Sequence, residues 1–179
     1  MLQYNTFDLF VYNVYLILLY TSDVVHEDWC EGWKEKMQKK NKGRKISILL
    51  VDYDQHFLEV SKKCLSLHCS FDIETASSNQ EAYSKLKQIE PNVIVCDLFK
   101  SNTNCFSFLK SLRDKGNNTP FILFTFEDEK ELVDDAFQLG ANGYVWKYGD
   151  PAVVYPTLKN CIVSVLGRLE ERVGDEFEA

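Results

Sequence analysis

An α/β fold, with a parallel sheet covered by helices on both faces, is predicted by two observations. Short apolar runs recur along the chain, and a polar residue closes each one. Ile48-Leu49-Leu50-Val51 ends at Asp52, Val93-Ile94-Val95-Cys96 at Asp97, Phe121-Ile122-Leu123-Phe124 at Thr125, and Tyr144-Val145-Trp146 at Lys147. Unbroken runs of this kind suit strands buried on both faces. Between them lie segments with apolar residues at helical spacing, and regular alternation of the two patterns predicts a parallel sheet.

Each element follows in order. Ile46–Val51 reads as the first strand. Residues 55–67 carry Phe57, Leu58, Cys64, Leu65 and Leu67 at rough helical spacing. Phe71–Thr75 is a short second strand. Ser78 caps a helix reaching about Ile89, with Glu81 three residues on as a capping box. Pro91-Asn92 leads into the third strand, Val93–Cys96. Asn104 caps a helix carrying Phe106, Phe108, Leu109 and Leu112, and Gly116-Asn117-Asn118 makes a turn before Pro120 and the fourth strand. Asp128 starts a helix with Leu132, Val133, Ala136, Phe137 and Leu139, stopped by Gly140. Gly143–Trp146 begins the fifth strand. Asp150-Pro151 is a cap followed by proline at the first helical position. The last helix runs past Leu166 into an acidic tail. Five strands and five helices fit the flavodoxin-like (βα)5 three-layer sandwich with sheet order 2-1-3-4-5. In that order the crevice opens between the first and third strands, which Asp52 and Asp97 end.

The 179 residues suggest one domain with something appended. Residues 1–44 read as an N-terminal extension or linker, 45–166 as the domain, and 167–179 as an acidic C-terminal tail. Phe7–Tyr20 is apolar, but it is shorter than the roughly 20 residues of a spanning helix, and Asp8 and Asn13 interrupt it. No basic segment precedes it and no small-residue cleavage site follows, so neither a membrane anchor nor a signal peptide is expected. Met37 stands a few residues before the first strand, and residues 1–36 are expected to be a wrongly extended reading frame. A net charge of −7 argues against a nucleic-acid surface. The cysteines, Cys30, Cys64, Cys69, Cys96, Cys105 and Cys161, form no C-x-x-C pair and no zinc spacing. Reduced thiols and a cytoplasmic location are the expectation. No Gly-rich phosphate loop follows the first strand, which weakens a nucleotide or flavin reading. His56 and His68 read as exposed helix residues, and the acidic run 128–135 as a solvated helix face.

An acid, a second acid, a hydroxyl and an amine thus converge on one edge of one sheet. Asp97, at the end of a buried strand, suits a carboxylate that accepts a phosphoryl group. A divalent cation and neighbouring side chains would neutralise the added charge.

The segments I-L-L-V-D at 48–52, P-N-V-I-V-C-D at 91–97, P-F-I-L-F-T at 120–125 and G-A-N-G-Y-V-W-K at 140–147 resemble the receiver domain of two-component response regulators. The continuation Y-G-D-P at 148–151 looks like single-domain receivers of archaeal type. The resemblance covers roughly residues 45–166. It implies that Asp97 is phosphorylated by a sensor histidine kinase and that Asp52 helps hold Mg²⁺. It implies that Thr125 and Lys147 bind phosphoryl oxygens. The backbone carbonyl of Phe99 matches the family's third metal position, and Tyr144 matches its switch aromatic, which alters the face of the fourth helix and fifth strand. A protein so built is not an enzyme in the usual sense, though it would catalyse its own phosphorylation and slow hydrolysis. With only a short acidic stretch after Leu166, output through a downstream protein target is expected, with no DNA contact.

The chain also departs from the pattern. Tyr53 stands where the family has a second metal-binding acid, with Asp54 one place on as a further candidate ligand. Phe126 replaces the usual small residue after the threonine. Lys100-Ser101 and Asn104-Cys105 replace the usual Met-Pro and Asp-Gly. These departures support a rival expectation, a pseudo-receiver that is never phosphorylated and acts as a fixed protein-interaction module.

Overall fold

All four apolar runs, together with the segment Phe71–Ala76, become parallel strands of one sheet in the computed structural model, which describes residues 45–68, 71–98 and 105–177. In chain order the elements are β1 (Ile46–Val51), α1 (Gln55–His68), β2 (Phe71–Ala76), α2 (Asn79–Leu86), β3 (Val93–Cys96), α3 (Cys105–Asp114), β4 (Phe121–Thr125), α4 (Lys130–Gln138), β5 (Gly143–Trp146) and α5 (Pro151–Phe177). The sheet order is β2-β1-β3-β4-β5, the flavodoxin-like order expected.

Strand side chains alternate between faces, and two cores result. Ile48, Leu50, Val95, Ile122, Phe124 and Val145 join residues of α1 and α5 on one face. Leu49, Val51, Ile94, Cys96, Phe121 and Leu123 join residues of α2, α3 and α4 on the other. The central strands β1, β3 and β4 therefore need apolar residues at nearly every position, which is why they read as unbroken runs.

The helix ends follow local chemistry. Ser78 caps α2 through its hydroxyl, which accepts the Glu81 amide at 3.2 Å. Glu81 reaches back to the amide and hydroxyl of Ser77, both at 2.8 Å. The helix stops at Leu86 instead of near Ile89. Pro91 lies just ahead, and the residue before a proline is pushed out of helical conformation. Asp150 caps α5, its carboxylate accepting the Ala152 amide at 2.9 Å, and Pro151 takes the first helical position as expected. The same helix continues across Pro156, where burial of the flanking Tyr155 and Leu158 outweighs the missing amide hydrogen bond. Gly140 follows α4 with a φ of 95°, a region other residues rarely adopt.

A second expected boundary is corrected at the start of α4. The helix expected to start at Asp128 begins at Lys130, with Glu129 in extended conformation before it. The β4–α4 turn is held elsewhere. Thr125 Oγ1 accepts the Glu127 amide at 3.3 Å, the Trp146 indole donates to the Phe126 carbonyl at 3.1 Å, and the Tyr144 hydroxyl donates to the Glu127 carbonyl at 2.9 Å. Those bonds turn residues 126 and 127 towards β5 and delay helix entry.

Where β5 meets α5 the backbones approach closely. A Cβ on Gly143 would stand 2.7 Å from Cys161 Sγ. Gly143→Ala is therefore expected to cost about 1–3 kcal/mol through overpacking, read as a lower urea midpoint at unchanged slope.

The expected extension 1–44, the Asn104 cap and the side chain of His68 lie outside the described residues. His56 is exposed, and Asp128, Glu129, Lys130, Glu131, Asp134 and Asp135 are solvated as expected. Cys64, Cys96, Cys105 and Cys161 are free thiols. Among the described residues no helix is long and apolar enough to cross a membrane.

Candidate functional site

Ladder hydrogen bonds carry the strands one residue past their formal ends and set the site. The Asp97 amide donates to the Val51 carbonyl at 2.9 Å, and the Lys147 amide to the Thr125 carbonyl at 2.8 Å. With Val51 opposite Cys96, Asp52 and Asp97 come to lie side by side at the carboxyl end of β1 and β3. Asp52, Asp97 and Lys147 continue the alternation of the face covered by α1 and α5.

These three residues form a buried charge cluster. The Lys147 ammonium lies 2.5 Å from Asp52 Oδ2 and 3.2 Å from Asp97 Oδ1. The shorter of the two contacts is to Asp52. Lys147 is only 1% exposed, so it brings one positive charge to two carboxylates where water screens little. Burial pushes the Asp52 carboxyl above its ordinary value, and the Asp97 charge adds to this. Lys147 and the Asp54 amide, which donates to Asp52 Oδ1 at 2.9 Å, pull it the other way.

Lys147 is also enclosed by aromatic rings. Its ammonium stands 4.1 Å from the ring centre of Phe57, 5.3 Å from that of Phe124 and 5.5 Å from that of Phe126. Phe57 meets Phe126 edge to face at 5.9 Å and Phe124 at a tilt at 5.9 Å. Sequence reasoning assigned Phe57 only to the apolar face of α1. No local pattern signals a contact between residues so far apart in the chain.

The remaining expected residues are placed as follows. Thr125 is buried at the end of β4 and faces the α2–α4 side, its oxygen accepting the Glu127 amide. A hydroxyl that accepts one bond still carries a proton to donate. Tyr144 is half-buried on the same side, tied to the Glu127 carbonyl. Burial, with a smaller contribution from Asp128, raises its phenol above the ordinary value. Asp54 serves the start of α1. Its Oδ1 accepts the amides of His56 and Phe57 at 2.9 and 3.1 Å and so caps α1. Phe99 lies outside the described residues. Tyr53 and Phe126 are exposed beside the cluster, at 48% and 42%.

The donor set suits a hard cation. Mg²⁺ binds through one or two carboxylates and keeps several waters, and Asp52 and Asp97 supply two carboxylates at one edge. Among the described residues no three His, Cys, Asp or Glu side chains gather into a metal-holding group, so these two acids are the candidates there.

Comparison with known proteins accords with this geometry. A family model described as the response regulator receiver domain matches residues 48–159, more than half of the chain. The chain is 28% identical over 116 residues to the nitrate/nitrite response regulator protein homolog of Haemophilus influenzae, covering 64% of this chain and 56% of that one. It is 28% identical over 137 residues to the alkaline phosphatase synthesis transcriptional regulatory protein PhoP of Bacillus subtilis, covering 73% and 55%. The chain thus spans about half the length of these curated relatives. Among solved structures, the chemotaxis response regulator CheY4 of Vibrio cholerae aligns with a TM-score of 0.58 at 24% identity, over 66% of this chain and 99% of that one. A CheY-like receiver domain protein from Methanospirillum hungatei aligns with a TM-score of 0.60 at 19% identity, over 70% and 99%. At these identities the structural likeness speaks for the fold. Family match, sheet order and strand-end residues agree: this chain belongs to the receiver domain family of two-component response regulators.

Proposed function

We propose that Asp97 accepts a phosphoryl group from a sensor histidine kinase and that the protein signals through a changed binding face around Tyr144 and α4. The observation that carries this reading is the Lys147 ammonium set between Asp52 and Asp97. An Asp97 carboxylate oxygen attacks the phosphorus of the donor, a P–O bond forms, and the P–N bond to the kinase imidazole breaks. The product places more negative charge beside a second acid. Lys147 offsets part of it, and Thr125 can donate its hydroxyl proton to a phosphoryl oxygen. Mg²⁺, held by Asp52 and Asp97 with the Phe99 carbonyl, would supply the remaining charge neutralisation when bound. The output partner on this reading is a protein, since the chain's charge of −7 disfavours nucleic acid, and the setting is cytoplasmic. The molecule acts as a signalling module and not as an enzyme in the usual sense.

A second reading, the unphosphorylated pseudo-receiver, draws support from Asp54 serving as the α1 cap and from Phe126 standing beside the cluster. Intact-mass measurement after incubation with acetyl phosphate, with and without Mg²⁺, separates the two. One Mg²⁺-dependent phosphoryl adduct, absent in Asp97→Asn, supports the phosphoacceptor. A folded protein that forms no adduct moves the conclusion to the pseudo-receiver. Phe126→Ala is expected to raise the acetyl phosphate rate several-fold by opening access, measured by the same adduct.

A further inference from the structure

The charge cluster changes composition at every step of the proposed cycle: Asp97 gains and loses a phosphoryl group, and Asp52 shares its oxygens with a cation. Phe57 does neither. It is 3% exposed, part of the core between the sheet and α1, and presents its ring to the ammonium at 4.1 Å. An ammonium has three N–H donors. Here two oxygens and one ring lie within reach of it. The rings of Phe124 and Phe126 are farther away, at 5.3 and 5.5 Å, near the outer limit for such an attraction. Phe126 also belongs to the turn that carries Thr125, and its carbonyl is tied to Trp146. Phe57, in α1, lies outside that turn.

We propose that Phe57 is a positioning residue for phosphoryl acceptance, its ring face holding the Lys147 ammonium between the two carboxylates as their charge changes. The inference rests on the phosphoacceptor reading above. The ring attracts the cation through its quadrupole without competing for the carboxylates, so the ammonium stays in place with little reorganisation. An aliphatic residue of similar size would fill the same volume without that attraction.

The test replaces Phe57 with mono-, di- and trifluorophenylalanine, which keep nearly the same shape while weakening the ring face stepwise. Phe57→Leu is added as the non-aromatic limit. The rate of adduct formation from acetyl phosphate is read by intact mass. It is expected to fall with each fluorine, reaching about tenfold at the leucine limit, in line with a desolvated cation–π contact. Urea unfolding of the same series is run with Lys147 and with Lys147→Met. Stability is expected to fall with fluorination only where the lysine is present. A flat rate series in a protein whose wild type reacts overturns the positioning role and leaves the phosphoacceptor standing. Equal fluorine sensitivity of stability with and without Lys147 overturns it as well. A wild type that forms no adduct overturns both.

Discussion

Lys147→Met will lower the stability of the fold by about 3–5 kcal/mol at neutral pH, because it leaves two buried carboxylates without their shared counter-charge. The methionine keeps most of the apolar stem, so the loss reports the ammonium, which stands 2.5 Å from Asp52 and 3.2 Å from Asp97. The deficit will depend on pH. Burial already holds the folded-state value of Asp52 above its ordinary one, ahead of the effect of Asp97. A carboxyl raised in this way contributes stability that is fully present below its unfolded value and lost as pH rises through its folded value. Lys147 pulls Asp52 down, so removing it raises that carboxyl further, and the penalty should shrink as pH is lowered from 7 towards 5. Urea unfolding across that range, with chelator present, measures it. A penalty that grows on acidification would show that the carboxylates remain ionised and stabilising without the lysine. Adding Mg²⁺ to the variant should restore part of the loss, since binding to the folded state alone stabilises it by mass action.

Arg113→Met will cost about 3 kcal/mol, from the opposite end of the sheet and without touching the chemistry. The guanidinium, at the end of α3, donates to the carbonyls of Asn117 at 2.7 Å, Thr119 at 3.1 Å and Gly140 at 2.8 Å. It also reaches Asn142 Oδ1 at 3.4 Å, and that same oxygen accepts the Phe121 amide at 2.9 Å. One side chain thus ties the loop before β4 to the loop before β5. The substitution leaves those carbonyls without their charged donor, and charged donors make the stronger hydrogen bonds. The expected result is a lower urea midpoint with adduct formation from acetyl phosphate unchanged. A variant as stable as the parent would mean that water replaces the guanidinium at little cost.

The strands were legible because buried parallel strands demand apolar residues at nearly every position, and each run here meets that demand. Capping chemistry was legible too, at Ser78 with Glu81 and at Asp150 with Pro151, because caps act over three or four residues. The start of α4 was misplaced by two residues. Asp128 is a sound cap by local rules, but the carbonyls of Phe126 and Glu127 are taken by Trp146 and Tyr144 from another strand. Asp54 shows the reverse case. Family resemblance offered it as a metal ligand, while its short side chain closes the first turn of α1 through two amides.

By itself the sequence determined the alternating α/β pattern, and with it the placing of Asp52, Asp97, Thr125 and Lys147 at the same end of one sheet. That much follows from hydrophobic period and from parallel strand direction, both local or nearly so. Tertiary structure alone decided how the charges pair. Lys147 lies closer to Asp52 than to Asp97, and three phenylalanines from α1, β4 and the β4–α4 turn close around it. Electrostatic and ring contacts depend on distances of a few ångströms between residues far apart in the chain. Those distances exist only once the sheet has set its register and the helices have packed on its faces.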